Sequence, residues 1–570
     1  MSAKLSWIFG GATVLAYGFA FGIGANDVAN SFGTSIGSGA LSMGQAIIIA
    51  SIFEVAGAIT LGSGVSDTIL RQISKLEDAS CWACGAPGSR MQVFMLGMAC
   101  ALAAGAFFML AATWAAMPVS TTHAIVGAVL GMTVVGAGTG CVRWGYPGLL
   151  AIVASWFASP VLAGLLSALM LVCIKYGVLR AARPLERAFR MLPWLYGGTV
   201  AVVLALVLLK ADLTKGWAAW LQATVTLSVG LAVAAAVQFL LIPRLQARMR
   251  SAGLVGEEEQ GVQRNPTEAG YIARARASQS RGHLPSATTE LSVLKTLPLE
   301  GPVREPGSQE AQLLLKDTAV LSDAPEAAAS ASKGADATDS KDDEPFVLED
   351  DERHEQRLTH AQRQIRDQIS EQALADSNTP TVQLRGPSQD SELGMTGGVP
   401  PAERVFMYLQ VLTACLKSFA HGANDTANAA GPYAAVQHMY IMGLDACEAV
   451  RTPVWVLAFC GLGIVTGLAV LGYRVMETVG RDITDINFSR GFAIELGSTL
   501  SVVLASVVGM PVSSTHCQIG SIVAVGIVET GPSSVQWSVF YKILVAWGVT
   551  VPLAAAAAAA LLAALRPVLG

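Results

Sequence analysis

Gly24-Ala25-Asn26-Asp27-Val28-Ala29-Asn30 returns in the second half of the chain as Gly422-Ala423-Asn424-Asp425-Thr426-Ala427-Asn428. A second phrase, Pro118-Val119-Ser120-Thr121-Thr122-His123, returns in the same order as Pro511-Val512-Ser513-Ser514-Thr515-His516. From Asp27 to Pro118 is 91 positions, and from Asp425 to Pro511 is 86. Two phrases that keep both order and spacing imply a duplication. Each lies in otherwise apolar sequence, where an ionisable side chain is costly and marks function.

Outward from these motifs, the chain of 570 residues is 52% hydrophobic and 14% charged. A soluble protein carries about 25% charged residues, so the composition implies lipid as the main solvent. A bilayer core takes about 20 apolar residues per helix. Twelve segments qualify, near residues 6–24, 42–64, 92–116, 119–140, 147–174, 194–212, 216–243, 404–421, 452–473, 491–510, 512–529 and 537–565. The first five match the last five, with Trp156 and Trp547 near the start of the last pair. Seven crossings separate the start of one copy from the start of the next. Seven is odd, so the copies enter the membrane from opposite faces, as in many secondary transporters. The Met-Pro-Val breaks make the third–fourth and tenth–eleventh segments candidates for re-entrant hairpins, which preserves the parity. The expected fold is therefore an all-α polytopic membrane protein. It has about 12 transmembrane segments in two inverted-topology repeats with broken helices, plus a long disordered central loop. Repeat 1 occupies residues 1–174, two linking segments 175–243, the loop 244–403 and repeat 2 residues 404–570.

The loop is polar, with acidic runs such as Glu349-Asp350-Asp351-Glu352, and holds too little apolar surface to offset the entropy of ordering. Basic residues cluster between segments 5 and 6 (Lys175, Arg180, Arg183, Arg187, Arg190) and after segment 7 (Arg244, Arg248, Arg250). By the positive-inside rule these ends and the central loop are cytoplasmic, and both termini extracellular. Nine cysteines form no obvious framework. Cys81-Trp82-Ala83-Cys84, alone, is too little for a zinc site and reads as a local disulfide in an outside loop. The first apolar stretch runs directly into Asn26-Asp27, so removal as a signal peptide would destroy the motif.

Glycine before Asn-Asp permits the backbone to leave helical geometry and another helix to approach closely. A helix broken there exposes carbonyls that suit a small cation, beside the hard oxygens of Asp27 or Asp425, and amides that suit an anion. Proline ends the helix before each hydroxyl cluster. Capping the next helix needs one hydroxyl, whereas Ser120-Thr121-Thr122 and Ser513-Ser514-Thr515 supply three each. His123 and His516 are candidates to donate a hydrogen bond, relay protons or simply pack. Glu54 and Glu495 lie within apolar segments, where an unpaired carboxylate costs several kcal/mol. Counting back 16 residues from each Pro-Val pairs Glu495 with Leu102, so the halves are not chemically equivalent.

Gly24–Gly39, Ser51–Glu54, Met117–His123, Phe419–Pro432, Thr452–Val456, Gly491–Glu495 and Met510–Cys517 together resemble the inorganic phosphate transporter (PiT) family, in its eukaryotic sodium-phosphate symporter form. The resemblance spans both membrane parts and not the loop. It implies cation-coupled import of inorganic phosphate, with sodium or, in some members, protons as the co-transported ion. It implies phosphate contacts from Asn26, Asp27, Ser120, Thr121, Thr122, Asn424, Asp425, Ser513, Ser514 and Thr515. It implies cation coupling through Asp27, Asn26, Glu54, Asp425, Asn424, Glu495 and Ser513. No cofactor, transition metal or nucleic acid is implied. A plasma-membrane location, a homodimer and cytoplasmic regulators on the loop are the remaining partner expectations. No nucleotide loop or catalytic triad is visible, so an enzyme is not expected. A phosphate sensor signalling through the loop and a transporter of another oxyanion are the rival readings. Lys417, eight residues before Asp425, stands where a small neutral residue is expected. It is expected to snorkel to the interface or pair with a neighbour, the alternative being a weakening of sodium dependence.

Overall fold

In the computed structural model, residues 5–569 are described apart from 77, 79, 85–88, 211–213, 215, 253–398, 445–451, 478, 480–482 and 484. The loop expected to be disordered lies mainly outside the described residues. The first half comprises α1 (Ser6–Asn26), α2 (Ala29–Gly37), α3 (Met43–Ile73), α4 (Met91–Trp114), α5 (Thr121–Gly136) and α6 (Leu149–Ile174). Then come α7 (Pro184–Lys210), α8 (Ala219–Ala236) and α9 (Ile242–Ser251). The second half comprises α10 (Pro401–Met442), α11 (Val454–Leu471), the short α12 (Tyr473–Glu477), α13 (Phe488–Val507), α14 (Ser514–Thr530) and α15 (Trp537–Leu565).

Each of the twelve apolar segments contains a helix among the described residues. Among the described residues, nine helices are long and apolar enough to cross a membrane, Ser6–Gly37 counting as one. The three others are instructive. Helices α5 and α14 are short, and α10 has the length but not the apolarity. These are the helices that carry the hydroxyl clusters and Asn424-Asp425.

A central group of α1, α3, α10 and α11 is held by close crossings of α3 with α10 and α1 with α11. Glycine makes both possible. A Cβ at Gly422 would lie 2.1 Å from the Glu54 carbonyl oxygen, and one at Gly24 would lie 1.8 Å from that of Ile464. Backbones this close gain dispersion contacts that larger side chains would prevent. One turn further, Gly57 faces the Phe419 carbonyl and Gly467 faces that of Phe21. The two crossings share one register. Outside this group, α4 and α5 pack with α15, and α13 and α14 with α6.

Two expectations need correction. Helix α1 ends at Asn26 and α2 starts at Ala29, but α10 runs unbroken through Gly422–Asn428. Even in the first copy the interruption is slight, since Asp27 (φ −83°, ψ −28°) and Val28 (φ −67°, ψ −18°) keep right-handed helical angles. The glycine serves helix crossing rather than backbone unwinding. Cys81 is bonded to Cys141, 60 residues away, and not to Cys84; Cys84 is itself disulfide-bonded. The Cys81–Cys141 bond ties the segment before α4 to the turn after α5, so this helical hairpin starts and ends on one face.

Candidate functional site

The two hydroxyl clusters divide their labour in the same way. Ser120 Oγ accepts from the His123 amide at 3.3 Å, and Ser513 Oγ accepts from the His516 amide at 3.2 Å, each as the N-cap of its helix. With the cap satisfied, the next residues reach elsewhere. Thr122 Oγ1 donates to the Val512 carbonyl (3.1 Å), and Thr515 Oγ1 donates to the Val119 carbonyl (3.1 Å). Each hairpin tip is thus stitched to the other.

The two aspartates meet at this stitch. Thr121 Oγ1 donates to Asp27 Oδ2 at 2.6 Å and lies 3.4 Å from Asp425 Oδ1. Thr515 Oγ1 reaches Asp27 Oδ1 at 2.9 Å, and the Thr121 amide reaches Asp27 Oδ2 at 3.3 Å. Asp425 Oδ1 accepts from Asn424 Nδ2 (3.2 Å) and Asn428 Nδ2 (3.1 Å). Asn26 and Asn424 also fasten the tips. Asn26 Nδ2 donates to the Met117 carbonyl and its Oδ1 accepts from the Val119 amide, while Asn424 Nδ2 donates to the Val512 carbonyl. Both aspartates are almost wholly buried, Asp27 at 1% and Asp425 at 0% exposure.

Glu54 is joined to the pair through a residue that the sequence reading did not single out, His421. Its Nδ1 lies 2.8 Å from Glu54 Oε2 and its Nε2 lies 3.3 Å from Asp425 Oδ2. Ser418 Oγ donates to Glu54 Oε1 at 3.0 Å. Ligand atoms of Asp27, His421 and Asp425 lie within 4.8 Å of one another. Two carboxylate charges at that separation repel by about 3 kcal/mol at an effective dielectric constant near 20. An arrangement of this kind calls for a positive charge, from the imidazole, a cation or a proton.

Glu495 sits in a separate cage of neutral donors. Thr34 Oγ1 (2.7 Å), Ser35 Oγ (2.6 Å) and Gln410 Nε2 (3.3 Å) donate to Oε1, and Thr413 Oγ1 (2.7 Å) donates to Oε2. Thr34 and Ser35 come from α2, Gln410 and Thr413 from α10. Gln410, Thr413, Lys417, His421, Asp425 and Asn428 recur every three or four residues, forming one polar stripe of α10. That periodicity, read backwards from Asp425, was the available signal for His421 and the Glu495 cage.

Lys417 does not snorkel. It is 3% exposed, and its Nζ donates to Ser498 Oγ at 2.5 Å and to Gln518 Oε1. His123 and His516 enter an aromatic cluster instead of touching the carboxylates. His123 lies against Trp156 and His516 stacks on Trp547, with ring centroids 3.8 and 3.7 Å apart. Their Nδ1 atoms face the Trp547 and Trp156 carbonyls respectively. Ser514 Oγ is buried without a hydrogen-bond partner, close in sequence to the stitch. Such an orphan is free to meet a ligand that enters the site.

A set of buried carboxylates lined by hydroxyls and amides, between two stitched helix tips, has the chemistry to take small ions rather than an apolar molecule. Comparison with known proteins agrees. The sequence profile of the phosphate transporter family matches residues 23–558. The chain belongs to the phosphate transporter family. Among its relatives, sodium-dependent phosphate transporter 2 of Homo sapiens is 32% identical, over 94% of this chain and 94% of that protein. Sodium-dependent phosphate transporter 1-A of Danio rerio is 31% identical, over 94% and 91%. A solved structure titled as the sodium-dependent phosphate transporter superposes with a TM-score of 0.65 at 26% identity, covering 98% of this chain and 99% of that one. The family is one of membrane transporters, not of enzymes.

Proposed function

We propose that this phosphate transporter moves inorganic phosphate together with a monovalent cation, sodium, through the site shared by Asp27 and Asp425. One observation carries this reading: Thr121 reaches both aspartates, one from each half of the chain. The carboxylates, with Asn26, Asn424, Glu54, Glu495 and the Ser513 region, supply oxygen ligands of the kind a hard cation prefers. Phosphate then meets the hydroxyls and helix N-terminal amides of Ser120–Thr122 and Ser513–Thr515. Carboxylates alone would repel an anion, and cations alone would leave no net gain from releasing them. Coupling follows because only the joint load satisfies the buried charges.

The two halves act in this reading as inverted-topology repeats, 1–174 and 404–570, joined by α7, α8 and a cytoplasmic loop. The matched register of the α3–α10 and α1–α11 crossings supports the duplication. The Cys81–Cys141 bond supports the orientation, because disulfides persist in oxidising compartments, and in this reading, with the protein at the plasma membrane, that face is the outer one. Rocking of the hairpins past the central group would expose the site to each side in turn. The test is uptake of labelled phosphate into vesicles holding the purified protein, with sodium and proton gradients imposed separately. Uptake driven by sodium alone is expected. Uptake indifferent to both gradients, or equal uptake of sulfate, would refute the assignment.

A further inference from the structure

The motif registers allow each polar side chain around Lys417 to be matched with its counterpart in the other half. Eight residues before Asp425 stands Lys417, and eight before Asp27 stands Phe19. Thirteen residues before Pro511 stands Ser498, and thirteen before Pro118 stands Gly105. Seven residues after Pro511 stands Gln518, and seven after Pro118 stands Ile125. In the first half the three counterparts are apolar, and a Cβ at Gly105 would lie 2.9 Å from the Phe19 ring. In the second half Lys417, Ser498 and Gln518 contact one another, with Ser498 Oγ also 3.0 Å from Gln518 Oε1. Three positions on three helices have changed character together.

A buried ammonium costs several kcal/mol unless its charge is compensated. Here both hydrogen-bond acceptors are neutral. The carboxylates within electrostatic reach are Glu495 and Asp425. Glu495 lies one turn before Ser498 on α13, and its own oxygens are held only by neutral donors. The charge of Lys417 therefore compensates a carboxylate at a distance, as a diffusible cation in the same pocket would.

We propose that Lys417 is a tethered cation that takes the place of one coupling ion, so that fewer mobile cations accompany each phosphate than the carboxylates alone would require. Its role is to set stoichiometry. The inference rests on the cation-coupled reading above. It concerns the number of ions moved, whereas that reading concerns whether cations drive uptake at all.

The experiment measures charge and labelled phosphate together in proteoliposomes, giving cations moved per phosphate, with the Hill slope for sodium as a second readout. Lys417→Gln is expected to raise the ratio by about one cation per phosphate and to steepen the Hill slope, since a vacated neutral-oxygen pocket next to uncompensated carboxylates attracts a cation. Gln518→Glu, which gives Lys417 a carboxylate of its own, is expected to do the same. Lys417→Arg keeps the charge and should keep the ratio. If either Lys417→Gln or Gln518→Glu folds and transports with an unchanged ratio, the proposal is overturned. Failure of both to fold, with Lys417→Arg folded, assigns Lys417 a structural role and overturns it equally. Wild-type uptake without cation dependence would instead remove the underlying reading.

Discussion

The α3–α10 crossing and the α1–α11 crossing have the same backbone geometry and opposite chemistry. At the first, Glu54 and His421 face each other across Gly422; at the second, the corresponding residues are Ile464 and Ile23, across Gly24. The adjoining helices repeat the contrast. Glu495 has Leu102 as its counterpart, and Lys417, Ser498 and Gln518 have Phe19, Gly105 and Ile125. One skeleton is thus filled once with charge and once with hydrocarbon. Backbone fit needs glycine in both places, whereas an ion site needs oxygen in only one. On this account the aspartates are common property, and the cation chemistry lies mainly along the polar stripe of α10.

The largest effect should separate the two fillings. Glu54→Gln and Glu495→Gln are each expected to cut sodium-driven uptake by about 10- to 100-fold, the scale of losing hydrogen bonds to a charged group. The volume-conserving Ile464→Leu and Leu102→Met should leave uptake within about twofold, because such swaps cost little. Equal losses in both pairs would break the contrast. A second difference is covalent. The α4–α5 hairpin is closed by Cys81–Cys141, and no disulfide closes α13–α14 among the described residues. Cys141→Ser should lower stability by about 2–4 kcal/mol, read as a fall in melting temperature. A melting temperature unchanged by the substitution would show that the hairpin is held by packing alone. The smallest effects concern the hydroxyls. Thr121→Ala, which strips Asp27 of a donor and removes the hydroxyl lying between the two aspartates, should raise the sodium KM several-fold, about 1 kcal/mol for one hydrogen bond. Ser514→Ala, at the equivalent position but without a protein partner, should raise the phosphate KM instead. The same response from both would mean that the two clusters do not divide the ligands.

Much of this is legible in the sequence. Asp27, Asp425, Glu54 and Glu495 announce themselves because a carboxylate inside an apolar segment is expensive, and all four are buried. Proline before a hydroxyl run marked the helix starts at Thr121 and Ser514. His421 was missed because it looks like a neighbour of the motif until the helical period of α10 places it between Glu54 and Asp425. Thr34 and Ser35 lie in a run of small residues that reads equally well as helix-packing sequence, and only tertiary contact brings them to Glu495. The broken helix expected in the second copy failed because glycine permits a break without requiring one. The partner of Cys81 was hidden because a close spacing in sequence says nothing about two loops that meet at one membrane face.

The central claim is that Asp27 and Asp425 form one site shared by both halves. Sodium-driven uptake of labelled phosphate by Asp27→Asn and Asp425→Asn, each checked for normal folding and membrane insertion, tests it most directly. The account predicts that either substitution alone abolishes uptake, since each leaves half a site. Near-normal uptake by either variant would contradict it.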